Sequence, residues 1–123
     1  MALFSLSIEQ PFVNITASSN THTVDFSKPG NNYKITANNA TNTIAFSNLS
    51  NDLQGKSGNI LITNPASVGS LGWAALPATS YTPGGGTISF DTTANKQAVL
   101  SYLIVSSSIV LINYVGDFGS YPQ

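Results

Sequence analysis

The sequence predicts an all-β fold, an antiparallel β-sandwich or jelly-roll-like arrangement of about eight short strands with little or no helix. Three observations carry that prediction. Apolar residues alternate with Ser, Thr and Asn in short runs, the two-residue period of a half-buried strand. Clusters of Gly, Pro and Asn separate these runs at roughly 8–12-residue spacing, as in sandwiches and barrels. No segment sustains a 3.6-residue apolar period with capping residues at its ends.

In chain order, Phe4, Leu6 and Ile8 alternate with Ser5 and Ser7, and Val13, Ile15 and Ala17 with Asn14 and Thr16. Val24 and Phe26 flank Asp25, and Tyr33, Ile35 and Ala37 flank Lys34 and Thr36. Ile44 and Phe46 follow, then Ile60-Leu61-Ile62, then Ile88 and Phe90 around Ser89. The runs Ala98–Val105 and Ile109–Val115 are the most apolar, so they predict a central hairpin covered on both faces. Pro29–Asn32, Asn38-Asn39, Asn48–Asp52, Gly55–Gly58 and Pro83–Gly86 predict turns. The one helix candidate is a single turn near Ser70–Ala75. The widest interval between strands, Asn64–Gly86, contains Trp73 and is the segment expected to contact something outside the domain.

With 123 residues the chain is one domain, read as an N-terminal arm or edge strand over 1–10 and a single β-sandwich over 11–123. It has no cysteine, which removes disulfides and thiolate metal sites. Only 7% of residues are charged, while Ser, Thr and Asn make up about a third of the chain. A hydrophobic fraction of 41% with a net charge of −1 argues for a folded core rather than disorder. Lys28, Lys34, Lys56 and Lys96 are dispersed and there is no arginine, a poor footprint for nucleic acid. The apolar stretch Ala98–Val115 is interrupted by Ser106-Ser107-Ser108, which favours two strands over a membrane helix. Met1–Ile8 lacks the basic start of a secretory signal, so synthesis in a cytoplasm is expected.

The ingredients of catalysis are sparse, and the expectation is that the protein is not an enzyme and uses no cofactor. His22 is the only histidine, and at three residues' separation in a strand it points away from Asp25. A hydrogen-bonded or surface role is therefore expected of it. Glu9, Asp25, Asp52, Asp91 and Asp117 are the only acids, and Asp52, Asp91 and Asp117 sit where turns are expected. Gly69-Ser70-Leu71-Gly72 lacks the spacing of a nucleophile elbow, and Gly84-Gly85-Gly86 leads into a strand rather than a phosphate-binding helix. Sequons at Asn14, Asn39 and Asn48 are expected by chance in so Asn-rich a chain. Of the aromatics, Phe26, Phe46, Phe90 and Tyr102 are expected in the core. Trp73, Tyr81, Tyr114, Phe118 and Tyr121 could form a contact surface, with core and contact both open for Trp73.

The order of several segments resembles a small β-rich module of bacteriophage virion proteins found in tail fibres, appendages and capsid-surface proteins. These segments are Gly55-Lys56-Ser57-Gly58-Asn59-Ile60-Leu61-Ile62, the Trp73 region followed by Pro83-Gly84-Gly85-Gly86, Thr93–Tyr102, and Tyr114-Val115-Gly116-Asp117-Phe118. The resemblance spans about Val13 to Phe118 and lacks the repetitive shaft of a fibre. It implies a structural or adhesive protein of the virion surface, made in the host cytoplasm. The favoured form is a capsid decoration or cement protein that bridges capsid subunits, as a homo-oligomer with a trimer favoured. A tail-fibre or appendage adhesin for a host glycan or protein is the alternative. The expected partners are the major capsid protein or other virion proteins, with no nucleic acid and no membrane. The contact residues expected are Phe4, Leu6, Ile8, Trp73, Tyr81 and Tyr121.

Overall fold

Residues 11–38, 41–66 and 71–118 are described by the computed structural model of the chain. Among the described residues, eight strands form two sheets, and helix is limited to two single 3-10 turns at Asn51–Leu53 and Pro83–Gly85. The all-β expectation is met, and the expected turn near Ser70–Ala75 is not helical over its described part, 71–75. No helix among the described residues is long and apolar enough to cross a membrane.

The strands are β1 (Val13–Asn14), β2 (Thr21–Asp25), β3 (Tyr33–Thr36), β4 (Thr43–Ser47), β5 (Ser57–Thr63), β6 (Ser80–Tyr81), β7 (Gln97–Ser106) and β8 (Ile109–Phe118). One sheet runs in the order β1-β3-β5-β7-β8-β6, and the other pairs β2 with β4. From β1 to β5 the chain therefore alternates between the two sheets. Each return lays its strand parallel to the one before: β1 on β3, β3 on β5, and β2 on β4. The first half of the domain is a flattened parallel coil. Antiparallel pairing, expected throughout, holds for β5 with β7 and β7 with β8, while β6 joins β8 in parallel. The physical reason is that alternation fixes which face is buried and leaves strand direction open. Direction follows from the connections. The segments between strands paired in the coil are too long for a two-residue hairpin turn, and they carry the chain across to the other sheet and back.

The two sheets share one core. Val24 and Phe26 at β2 and Ile44 on β4 face Tyr33, Ile35, Ile60, Ile62, Leu100 and Tyr102 of the larger sheet, all buried. Phe26 sits edge-on to Phe46 at 5.1 Å and tilted on Tyr102 at 5.2 Å, geometries that favour aromatic pairs. Lys56 closes this cluster at one end. Its ammonium lies 5.9 Å from the centroids of Phe26 and Tyr33, and it donates to the Phe26 and Lys28 carbonyls.

The β7–β8 hairpin forms as expected around a Ser107-Ser108 turn. Its faces differ, however. Ala98, Leu100, Tyr102, Ile104, Val110 and Ile112 are buried, whereas the opposite face is open. The Ile88–Phe90 run is irregular rather than a strand, although both apolar side chains still pack on the core.

Candidate functional site

The open face of the larger sheet is the most distinctive surface of the molecule. It follows from the sequence of β7 and β8, which place apolar residues at outward as well as inward positions. Register brings these residues into rows across the sheet. Leu103 pairs with Leu111, and Leu111 with Tyr81, which forms one apolar row. Two residues along the strands, Asn59 pairs with Ser101 and Ser101 with Asn113, which forms a neutral polar row. Two further, Leu61 pairs with Val99 and Val99 with Val115, a second apolar row. Leu103 is 40% exposed, Leu111 44%, Val115 51% and Tyr81 53%. Val105 and Phe118 extend the apolar surface at its two ends. Among the described side chains, none of the outward positions of β5 to β8 is charged. Leu103, Leu111, Tyr81 and Pro83 also bound a shallow depression of about 410 Å³.

The face is held rigid from behind. Tyr102 is buried and its hydroxyl donates to the Asn31 carbonyl at 2.7 Å. Burial pushes the Tyr102 and Tyr33 phenols above their ordinary value, because the charged form loses hydration there. Gly58, the partner of Tyr102 across the β5–β7 ladder, packs so closely on the Asn31 backbone that there is no room for a side chain.

The long excursion from Asn64 is fastened at two buried asparagines. Asn42, fully buried, accepts at Oδ1 from His22 Nε2 at 2.9 Å and from the Asn38 amide at 3.0 Å. Its Nδ2 donates to the Gly72 carbonyl at 3.0 Å, and its backbone bonds to Gly72 and Ala74 on either side of Trp73. Because the amide oxygen only accepts, His22 carries its proton on Nε2. Asn64 donates to the Asp91 and Thr93 carbonyls at 2.8 and 2.9 Å. Asparagine at these positions reads in sequence as turn chemistry, and its use as a buried hub has no sequence signal.

Of the expected contact residues, Phe4, Leu6, Ile8 and Tyr121 lie outside the described residues, as does the 1–10 arm. Tyr81 is exposed on the apolar row. Trp73 is half-buried, with its ring stacked on Phe90 at 4.9 Å and packed against the core. Leu103, Val105, Leu111 and Val115 were not singled out by sequence because both faces of the hairpin were expected to be covered.

Asp25, Asp91 and His22 are engaged in local hydrogen bonds, while Glu9 lies outside the described residues. Asp25 accepts at one carboxylate oxygen from Asn48 Nδ2, the Ser27 hydroxyl and the Ser27 amide. These bonds, Asn48's the strongest, hold its carboxyl at about 2. Asp91 accepts from the Thr93 amide as turn residues do. His22 and Asp25 do not converge, and no group of three or more His, Cys, Asp or Glu among the described residues is placed to hold a metal ion. No family model, curated protein or solved structure matches the chain.

Proposed function

We propose that this chain is a structural, non-catalytic protein of a bacteriophage particle, a capsid decoration or cement protein that docks through the outer face of its larger sheet. The observation that carries the reading is that face: rich in exposed apolar side chains, without charge among the described outward side chains of β5 to β8, and built on a continuous sheet. Contiguous exposed apolar surface of this kind marks a protein-contact site rather than a random feature. The bacteriophage context rests on the order of the turn-and-strand motifs quoted above. Two of them are the turns that lead into β5 and β7, the strands that build the face. The partner is the major capsid protein or another virion protein, and attachment replaces water over Leu103, Leu111 and Val115 with apolar side chains. The particle surface is then its location, after synthesis in the host cytoplasm.

The test is co-sedimentation of the purified chain with particles that lack it, through a density gradient. Wild type should band with the particles, and a Leu103→Asp/Leu111→Asp variant should stay at the top. If neither associates, or both associate equally, the docking assignment is wrong.

A second reading has its own observation. Tyr81 stands at the mouth of a groove of about 350 Å³ that also includes Leu76, Pro77, Gly86, Ile88 and Phe90. An exposed ring beside a groove suits stacking on a sugar, as an appendage adhesin needs. A glycan array with wild type and Tyr81→Ala separates the two, since a cement protein should retain no glycan.

A further inference from the structure

We infer that the outer face pairs with the same face of a second copy of this chain, about a two-fold axis that passes through the Asn59–Ser101–Asn113 row. The inference deepens the assembly reading of this face and names its first occupant.

The argument is one of pattern. A two-fold contact is isologous, so a surface can use it only if it complements itself. The face is striped: an apolar row, a neutral polar row, then a second apolar row, each two residues along the strands from the next. A two-fold axis in the plane of the face and through the middle row brings polar onto polar and apolar onto apolar, whether it runs along the strands or across them. The middle row also complements itself chemically. Asn side chains and Ser hydroxyls each both donate and accept, so two copies of the row can bond to one another. Ser101 already donates to Asn59 Oδ1 at 2.9 Å within one copy, which leaves the Asn59 amide nitrogen to point outward as a donor. A row of lysines or carboxylates would repel its own copy; among the described side chains of β5 to β8 there is none, and Lys34 on β3 stands at the border of the face beside Leu61.

The size sets the strength of the pair. Strands of 10 residues in β7 and β8 at about 3.3 Å per residue are about 33 Å long. The four strands β5, β7, β8 and β6 at about 4.8 Å spacing are about 19 Å wide. Because β5 has 7 residues and β6 only 2, the face is about 460 Å² per copy and about 920 Å² for the pair, the size of a weak, transient contact. Such a contact is expected to hold at micromolar rather than nanomolar concentration.

The chain's lack of cysteine makes the test direct. Ser101→Cys places one thiol on the axis, so two copies should form an intermolecular disulfide under mild oxidation. Thr23→Cys, exposed on β2 of the opposite sheet, should not. In analytical ultracentrifugation over about 1–500 µM, wild type should approach twice the 12.9 kDa chain mass. Asn113→Lys, which sets two ammonium groups against each other, and Leu111→Asp should each weaken the pair at least about tenfold. Both variants change exposed side chains, and an unchanged thermal midpoint verifies the fold. A mass of 12.9 kDa at every concentration overturns the inference, and so does a mass of three chains or equal cross-linking from Ser101→Cys and Thr23→Cys. Because the pair covers the face that would dock, the two contacts exclude each other on one copy, and the particle assay is run at concentrations where the chain is a monomer: a chain that never pairs but bands with particles sinks the pair alone, and a chain that pairs when concentrated but does not band as a monomer sinks the capsid reading alone.

Discussion

Gly58→Ala is the sharpest single test of how the two sheets are joined. An ideal Cβ at this position meets the Asn31 carbonyl oxygen at 1.9 Å and its carbonyl carbon at 2.8 Å. Ordinary contact begins near 3.4 Å, so the loop or β5 must move by more than an ångström. Neither is free to do so. Asn31 accepts from the Tyr102 hydroxyl, Asn32 Oδ1 accepts from the Asn59 amide at 3.1 Å, and the Asn32 carbonyl accepts from Val13 at 2.8 Å. Overpacking of this type costs about 1–3 kcal/mol. Loss of one or two of the hydrogen bonds adds about 1 kcal/mol each, and the reduced freedom of the unfolded chain returns about 0.4–1 kcal/mol. The net is about 2–4 kcal/mol, or a fall in Tm of about 8–16 °C for a domain of this size. Gly86→Ala is the control, because a Cβ there meets only the Pro83 carbonyl at 3.9 Å. Thermal and urea unfolding should place Gly86→Ala within about 0.5 kcal/mol of wild type. If Gly58→Ala unfolds at the same temperature as Gly86→Ala, the close approach is wrong and so is the loop's role as a clamp.

Three further outcomes follow from the same physics. Asn42→Ala strands His22 Nε2 and the Asn38 amide in or near the core and leaves the Gly72 carbonyl with only its backbone bond to residue 42, and should cost about 2–4 kcal/mol in chemical denaturation and raise protease sensitivity over 71–75. The Asp25 carboxyl, held at about 2 against 3.8 unfolded, contributes stability that is complete above about pH 4 and drains away as pH falls towards 2; Asn48→Ala, which removes the largest cause, should flatten that part of the Tm-against-pH curve. The Tyr33 and Tyr102 phenols, raised by burial, contribute stability that is full below pH 10 and lost as pH climbs beyond it. In an absorbance titration these two should ionise only together with unfolding, and Tyr102→Phe should remove one late-titrating phenol.

Much of the fold was legible because alternation reports burial directly. Val24, Phe26, Tyr33, Ile35, Ile44, Ile60 and Ile62 form runs that all point inward, and the β7–β8 hairpin lies where its apolar runs and serine turn set it. The parallel coil was not legible. Val13 pairs with Tyr33, and Thr21 with Thr43, across about twenty intervening residues that no local pattern links. The exposed apolar face was half legible. Tyr81 stood out as an aromatic in a loop, but Leu103, Leu111 and Val115 share the composition of core residues, and only the strand order shows that no described strand covers them. Trp73 was open between core and contact in the sequence, since a tryptophan in a long loop serves either; the Asn42 hub fastens the backbone on both sides of it, and its ring stacks on Phe90.

The coil of β1 to β5 also sets the terms on which this protein can change length. Each turn adds one strand to each sheet and leaves the next turn the same ladder to build on. An insertion or deletion of one full turn preserves the inward face of every later strand. A single-residue change within a strand inverts all that follow it up to the next loop. Length variants that still fold should therefore differ in steps of about twenty residues, placed between Val13 and Ser57, with the hairpin and its striped face unaltered.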